Sequence, residues 1–231
     1  MKTVILIHGF PFNATLWRRV APPGALAPDL PGFGDSPAGP DTVDAYAQSI
    51  LARVDGPLAV VGHSMGGYVA LAMHRLARER IAGLAFVASR AVADTPEIRA
   101  KRRETEQQVL AEGVGVLERG MMPRLFGPGA APAMLEEARA LIRAATPQGA
   151  AAAMRAMMNR PDSVPQLATI AVPSIVIAGR HDQIVPVAES ESIAGAIPAA
   201  RLVWCERSGH LPMIEEPDVL RETLAHFLEE I

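Results

Sequence analysis

The chain has 231 residues, 49% of them apolar and 20% charged, with a formal net charge of −3. Such a composition excludes a disordered chain, which would be polar and highly charged. With no basic stripe it also argues against a nucleic-acid surface. The single cysteine, Cys205, rules out an intrachain disulfide, and no Cys/His spacing for zinc is present.

Residues 4–7 form a continuous aliphatic run that ends at His8-Gly9. It is far shorter than the roughly 20 residues of a membrane span, and no small-residue cleavage site follows it. The expectation is a soluble, cytoplasmic protein with no membrane or nucleic-acid partner. A short strand is expected near residues 25–28. Further aliphatic runs lie at 58–61, ending at Gly62, and at 84–88. Residues 90–165 differ: they contain no convincing strand. Helices are expected there over 99–112, 114–125, 133–145 and 147–159. In the third of these Leu135, Ala138, Leu141 and Ile142 fall at helical spacing, and Pro147 suits the first turn of the fourth. Aliphatic runs return at 174–178, ending at Gly179, and at 201–205. A last helix over 217–230 carries the stripe Val219, Leu220, Leu224 and Phe227. Unbroken apolar runs bounded by Gly or Pro read as strands buried on both faces. Alternating with helices, they predict a mostly parallel α/β sheet of about six strands with flanking helices. Residues 1–89 and 166–231 form the core, with a helical cap, 90–165, inserted in it.

Gly62-His63-Ser64-Met65-Gly66 fits the pattern G-x-S-x-G, which arises by chance in roughly one chain in ten of this length. Its setting carries the weight. It follows one aliphatic run and precedes a plausible helix, the strand–turn–helix context of a nucleophile elbow. A serine hydroxyl needs a base. Downstream, Gly179-Arg180-His181-Asp182 follows the fourth long run, and Ser208-Gly209-His210 follows the fifth. The order Ser64, Asp182, His210 is the one such a scaffold uses, and loops after successive parallel strands emerge on one edge of the sheet. An oxyanion hole needs two convergent N–H donors. Met65, after the serine, and Phe10, in the loop after the first strand, are the candidates, because Pro11 has no N–H.

Taken in order, His8-Gly9-Phe10, the stretch from Asp29-Leu30-Pro31-Gly32-Phe33-Gly34 to Asp35-Ser36, Gly62-His63-Ser64-Met65-Gly66-Gly67, Gly179-Arg180-His181-Asp182 and Gly209-His210 carry a resemblance. Over nearly its whole length the chain resembles the α/β-hydrolase superfamily, and within it the small capped carboxylesterases, enol-lactonases and carbon–carbon hydrolases. The resemblance implies Ser64 as nucleophile, His210 as base, Asp182 as its orienter and residues 90–165 as the cap. Most members begin with an antiparallel hairpin. This chain begins at the first parallel strand, so its sheet is expected to be about two strands short.

The implied reaction is hydrolysis of an ester, lactone or thioester of a small, mostly apolar acid through an acyl-enzyme, with a small-molecule ester as partner and no metal or cofactor. Carbon–carbon hydrolysis, perhydrolysis and cyanohydrin cleavage use the same triad, and a catalytically silent ligand receptor is a rival of another class. Arg124, Arg143, Arg155 and Arg160 keep a carboxylate-anchoring pocket open. Oligomeric state is not written in the chain. Asp94 is the second choice for the acid. His8 and His63 read as scaffold, His181 as a neighbour of the acid, His74 and His226 as helix-surface residues, and Cys205 as a small buried hydrophobe. Arg99, Lys101, Arg102 and Arg103 read as a solvated face. For the pocket wall, Met154, Met157 and Met158, at spacing i, i+3, i+4, are preferred together with Phe12. Phe10, Leu125 and Phe126 are weaker candidates.

Overall fold

In the computed structural model, which describes residues 2–198 and 200–231, the long aliphatic runs become five parallel strands of one sheet. These are β1 (Thr3–Ile7), β2 (Leu58–His63), β3 (Ile81–Val87), β4 (Ser174–Gly179) and β5 (Arg201–Cys205), neighbours in that order. β2 and β4 are buried along their whole length, as central strands covered on both faces are. In β5 only Cys205 is buried. The expectation of two buried faces fails there because β5 has a neighbour on one side only.

The short strand expected near 25–28 is a single parallel bridge between Leu26 and Ile5. Leu26 donates to Val4 O and accepts from Leu6 N, both at 2.8 Å. Pro22, Pro23 and Pro28 remove N–H groups that a longer ladder would need. Leu26 lies on one side of β1 and β2 on the other, so the order of the chain across the sheet reverses at β1. In an open α/β sheet the crevice at such a reversal, beyond the carboxyl ends of the strands, is where ligands bind.

α1 (Val43–Leu51) and α2 (Met65–Leu76) pack against each other, α2 lying on β1 to β3. The cover is close enough that every residue from Met65 to His74 is buried. His74 was expected on the helix surface; it stands seven residues after Gly67, whose missing Cβ faces Ser89 beyond β3, so it shares the flank of α2 turned toward the sheet and is buried, and burial lowers its pKa. Between β3 and β4 run α3 (Pro96–Glu112), α4 (Gly115–Leu125), α5 (Pro132–Arg143) and α6 (Pro147–Asn159), and then the single turn α7 (Val164–Leu167). α3 and α6 start alike. Thr95 and Thr146 accept from the N–H groups of Ile98 and Gly149, and Pro stands in the first turn of each helix. After β4 come α8 (Val187–Ala196), the one-turn α9 (Pro212–Glu215) and α10 (Pro217–Glu229), in which Leu220, Leu224 and Phe227 are buried. Among the described residues no helix is long and apolar enough to cross a membrane.

Two contacts seat the inserted helices on the sheet layer. Gly32 has φ +88, and a Cβ there would stand 2.7 Å from Gly149 Cα, so the start of α6 rests backbone to backbone on the turn after Leu30. Asp94 is the second. Its fully buried carboxylate receives Arg90 at 2.8 Å, Arg102 at 2.6 Å and Arg160 at 2.9 Å. Arg160 also donates to Val92 O and Met157 O, and stacks 4.1 Å above the Tyr68 ring. Arg102 therefore turns inward, while Arg99, Lys101 and Arg103 stay exposed as expected.

Burial pushes the Asp94 carboxyl up, but the pull of Arg102 and Arg160 outweighs it and holds the group below the usual carboxylate range. A depressed acid stabilises the fold above its unfolded pKa, and this stability is lost as pH falls through the folded value. Asp94→Asn strands buried guanidinium groups. It should cost about 3–5 kcal/mol and lower Tm by on the order of 10 °C, measured calorimetrically at neutral pH.

Candidate active site

β2 ends at His63 and α2 begins at Met65, leaving Ser64 to make the whole turn with φ 51 and ψ −114. Side chains rarely adopt that region, and it costs about 1–3 kcal/mol. The turn closes only because its flanks are bare. A Cβ on Gly62 would run into Gly66 O, and one on Gly66 into Ile7 O. Ser64 N donates to Val87 O at 2.9 Å. Ser64 O accepts from Gly67 N at 2.9 Å and from Ser89 Oγ at 2.8 Å. Nothing in the pattern around Ser89 announced that role: it is one serine after an apolar strand. Ser64 thus stands at the N-terminus of α2, where the helix dipole favours negative charge.

His210 follows β5 and Asp182 follows β4. His210 Nδ1 donates to Asp182 Oδ2 at 2.7 Å, with both side chains almost fully buried. Asp182 Oδ1 accepts from Ile184 N at 2.8 Å and Val185 N at 2.9 Å, so the carboxylate cannot rotate freely. A proton on Nδ1 leaves Nε2 as the lone-pair nitrogen. That atom is buried and has no hydrogen-bond partner among the described residues. The second-choice acid, Asp94, is occupied by its arginines.

The neighbouring histidines stay neutral. His8 donates from Nδ1 to Gly9 O and accepts the Leu30 N–H at Nε2, both at 3.0 Å. Burial lowers its pKa to about 4. His63 donates from Nε2 to His210 O at 2.9 Å, and its ring centroid lies 4.9 Å from that of His210. Burial first, and then His210, hold its pKa well below the usual histidine value. His181 and His226 are exposed. Cys205 is buried as expected, and burial pushes its thiol up to about 12.

Among the described residues the N–H groups of Phe10 and Met65 have no backbone acceptor. Phe12, Met154, Met157 and Met158 are all buried, and the Phe12 ring lies 6.1 Å from that of His63. Leu125 and Phe126, ranked below them, come closer to the base than expected. Leu125 O accepts the His210 N–H at 2.7 Å, and a Cβ on Gly209 would stand 2.6 Å from the Phe126 carbonyl carbon. A cleft of about 450 Å³ opens beside Asp182, between residues 126–128 and 180–183. Two further residues escaped the sequence reading: Glu215 and Glu216, which grip the backbone on both sides of His210. An adjacent pair of glutamates before Pro217 reads as an ordinary helix start.

Residues 4–223 match the family model described as the alpha/beta hydrolase family. The chain belongs to this family. It is 28% identical to the pimeloyl-[acyl-carrier protein] methyl ester esterase of Edwardsiella ictaluri, over 99% of this chain and 93% of the relative. The protein of that name from Chromobacterium violaceum is 30% identical, over 98% and 94% of the two chains. Among solved structures, a thermophilic esterase from Thermogutta terrifontis superposes with a TM-score of 0.94 at 35% identity, covering 100% of this chain and 90% of that one. An enol-lactonase from Burkholderia xenovorans gives 0.89 at 25% identity, with 99% and 92% covered. The expected resemblance holds over the full length, and the hydrolase sheet here is five strands plus one bridge.

Because Gly66 packs on the Ile7 carbonyl, Gly66→Ala should move α2 away from β1. The expected cost is at least the 1–3 kcal/mol of core overpacking, measured by urea unfolding.

Proposed function

We propose that the protein is a serine esterase that cleaves carboxylic esters or lactones of small, mostly apolar acids. The observation that carries this reading is the Asp182–His210 pair at 2.7 Å, whose outward nitrogen is buried and unpartnered at the edge where the Ser64 turn emerges. Names of relatives support the bond type: methyl ester esterases, an esterase and an enol-lactonase.

His210 Nε2 takes the Ser64 proton as Oγ attacks the carbonyl carbon. Asp182 keeps the other ring proton on Nδ1 and stabilises the imidazolium that forms. Charge develops on the carbonyl oxygen, and the Phe10 and Met65 N–H groups are the donors for it. Each such donor is worth on the order of 10²- to 10³-fold in rate. His210 returns its proton to the departing alcohol. Water, deprotonated by the same nitrogen, then releases the acid from Ser64. Neutral His8 and His63 place no second positive charge beside the imidazolium. No step as drawn calls on a metal or cofactor.

Residues 90–165 act as the cap in this reading, and Phe12, Met154, Met157 and Met158 supply a deformable apolar wall. The arginines considered as carboxylate anchors favour a neutral acyl group. Arg143 is engaged by Glu118, Arg155 by Asp41 and Glu106, and Arg160 by Asp94. Arg124 donates to Gln183 O.

A chain-length series of p-nitrophenyl esters, with methyl esters and enol-lactones alongside, tests the reading. Turnover should peak at short acyl chains. Ser64→Ala should lower kcat by on the order of 10⁶-fold, and Asp182→Asn by about 10⁴-fold through the wrong histidine tautomer. Retention of most activity in Ser64→Ala sinks the mechanism. Fluorophosphonate labelling of Ser64 without ester turnover would move the reaction to another bond while keeping the triad.

A further inference from the structure

His210 lies in an irregular stretch between β5 and α9, and such a stretch does not hold a catalytic ring still by itself. What holds this one is a carboxylate. Glu215, the last residue of α9, accepts from Gly209 N at 2.9 Å and from Leu211 N at 3.3 Å, both on Oε1. These are the amides on either side of His210. Its other oxygen, Oε2, accepts from Gly127 N at 2.7 Å. Gly127 is not part of this stretch; it follows α4, in the inserted helices. One carboxylate therefore bridges the base and the insertion.

The surroundings reinforce the bridge. His210 N donates to Leu125 O at 2.7 Å. Arg124, one residue earlier, donates to Gln183 O at 2.6 Å, next to the acid. Residues 124–127 thus touch the stretches that carry both His210 and Asp182. Glu216 accepts from Arg207 N at 2.9 Å and Ser208 Oγ at 2.7 Å, which anchors the start of the same stretch on β5. Glu216 fixes the stretch to the core, whereas Glu215 fixes it to the insertion. Burial pushes the Glu215 carboxyl up, and the three N–H donors oppose that shift. The net direction is up, and both oxygens serve as acceptors, with three backbone bonds in all.

We propose that Glu215 is a positioning residue: its carboxylate fixes His210 through the amides that flank it, and makes the position of the base depend on where residues 125–127 sit. The proposal rests on the reading of His210 as the base. The chemistry of the bond set specifies the test. Glutamine has the same shape but only one acceptor oxygen. Its NH₂ must face either Gly127 N or the Gly209 and Leu211 amides, donor against donor.

In Glu215→Gln, amide hydrogen exchange at Gly127, Gly209 and Leu211 should quicken by tenfold or more relative to the β-strand amides. On the best ester found, kcat should fall by about 10- to 100-fold, the effect of a small misplacement of a catalytic group. KM should hold, because the Glu215 carboxylate binds backbone N–H groups and none of the side chains proposed as the acyl wall. Fluorophosphonate labelling of Ser64 should slow by the same factor as kcat. In a His210→Ala background the residual rate should not change on adding Glu215→Gln, since the positioned group is gone. If the glutamine variant does not fold, Glu215→Asp, with both oxygens on a shorter arm, should lower kcat in step with its faster exchange at those amides.

Unchanged exchange at Gly127, Gly209 and Leu211 overturns the proposal whatever the reaction is. So do faster exchange with kcat intact, and an equal loss in the His210→Ala background. If the wild type neither turns over esters nor takes the fluorophosphonate, the esterase reading fails. The exchange result still decides whether Glu215 holds the stretch.

Discussion

A serine at φ 51 is an unfavourable object, and the carboxyl edge of the sheet is built to hold it. Val87, at the end of β3, takes its N–H. Ser89 and Gly67 satisfy its carbonyl. Ile7, at the end of β1, leaves room only for a glycine at 66. Three strand ends are therefore fixed in register by one turn. This is also the place where the chain reverses its order across the sheet. The crevice of the topology and the strained turn of Ser64 thus lie at the same strand ends.

The electrostatics follow the same economy. The rings of His8 and His63 are desolvated and uncharged. The groups that touch the His210 ring or its backbone are a carboxylate, a neutral imidazole and amides. The His210 ring is thus set among negative and neutral partners, the surroundings that the proposed imidazolium would need. Arg143, Arg155 and Arg160 of the inserted helices are engaged elsewhere by carboxylates.

Most of the scaffold could be read from residues alone because it is local. Aliphatic runs ended by glycine became β1, β2 and β4, and Pro147 marked the start of α6 to the residue. Ser64, Asp182 and His210 could be singled out because each follows an aliphatic run. What escaped depends on contacts between distant segments. His74 is buried on the flank of α2 turned toward the sheet, and β5 is half exposed because it lies at the edge of the sheet. Arg102 looks like its basic neighbours until Asp94 is placed beside it. Glu215 works by reaching Gly127, 88 positions away, and no spacing rule encodes that.

The crossing of Gly32 and Gly149 has a bearing on how this architecture can be recombined. The two backbones meet with no side chain between them, so the seat of α6 is defined by an absence on both partners. The inserted helices are therefore not a self-contained module. A segment transplanted from a relative would dock in the same place only if it brought a bare position to meet Gly32, and a new host turn would need its own glycine to receive α6. Diversification of these helices is thus tied to two residues that belong to different parts of the chain.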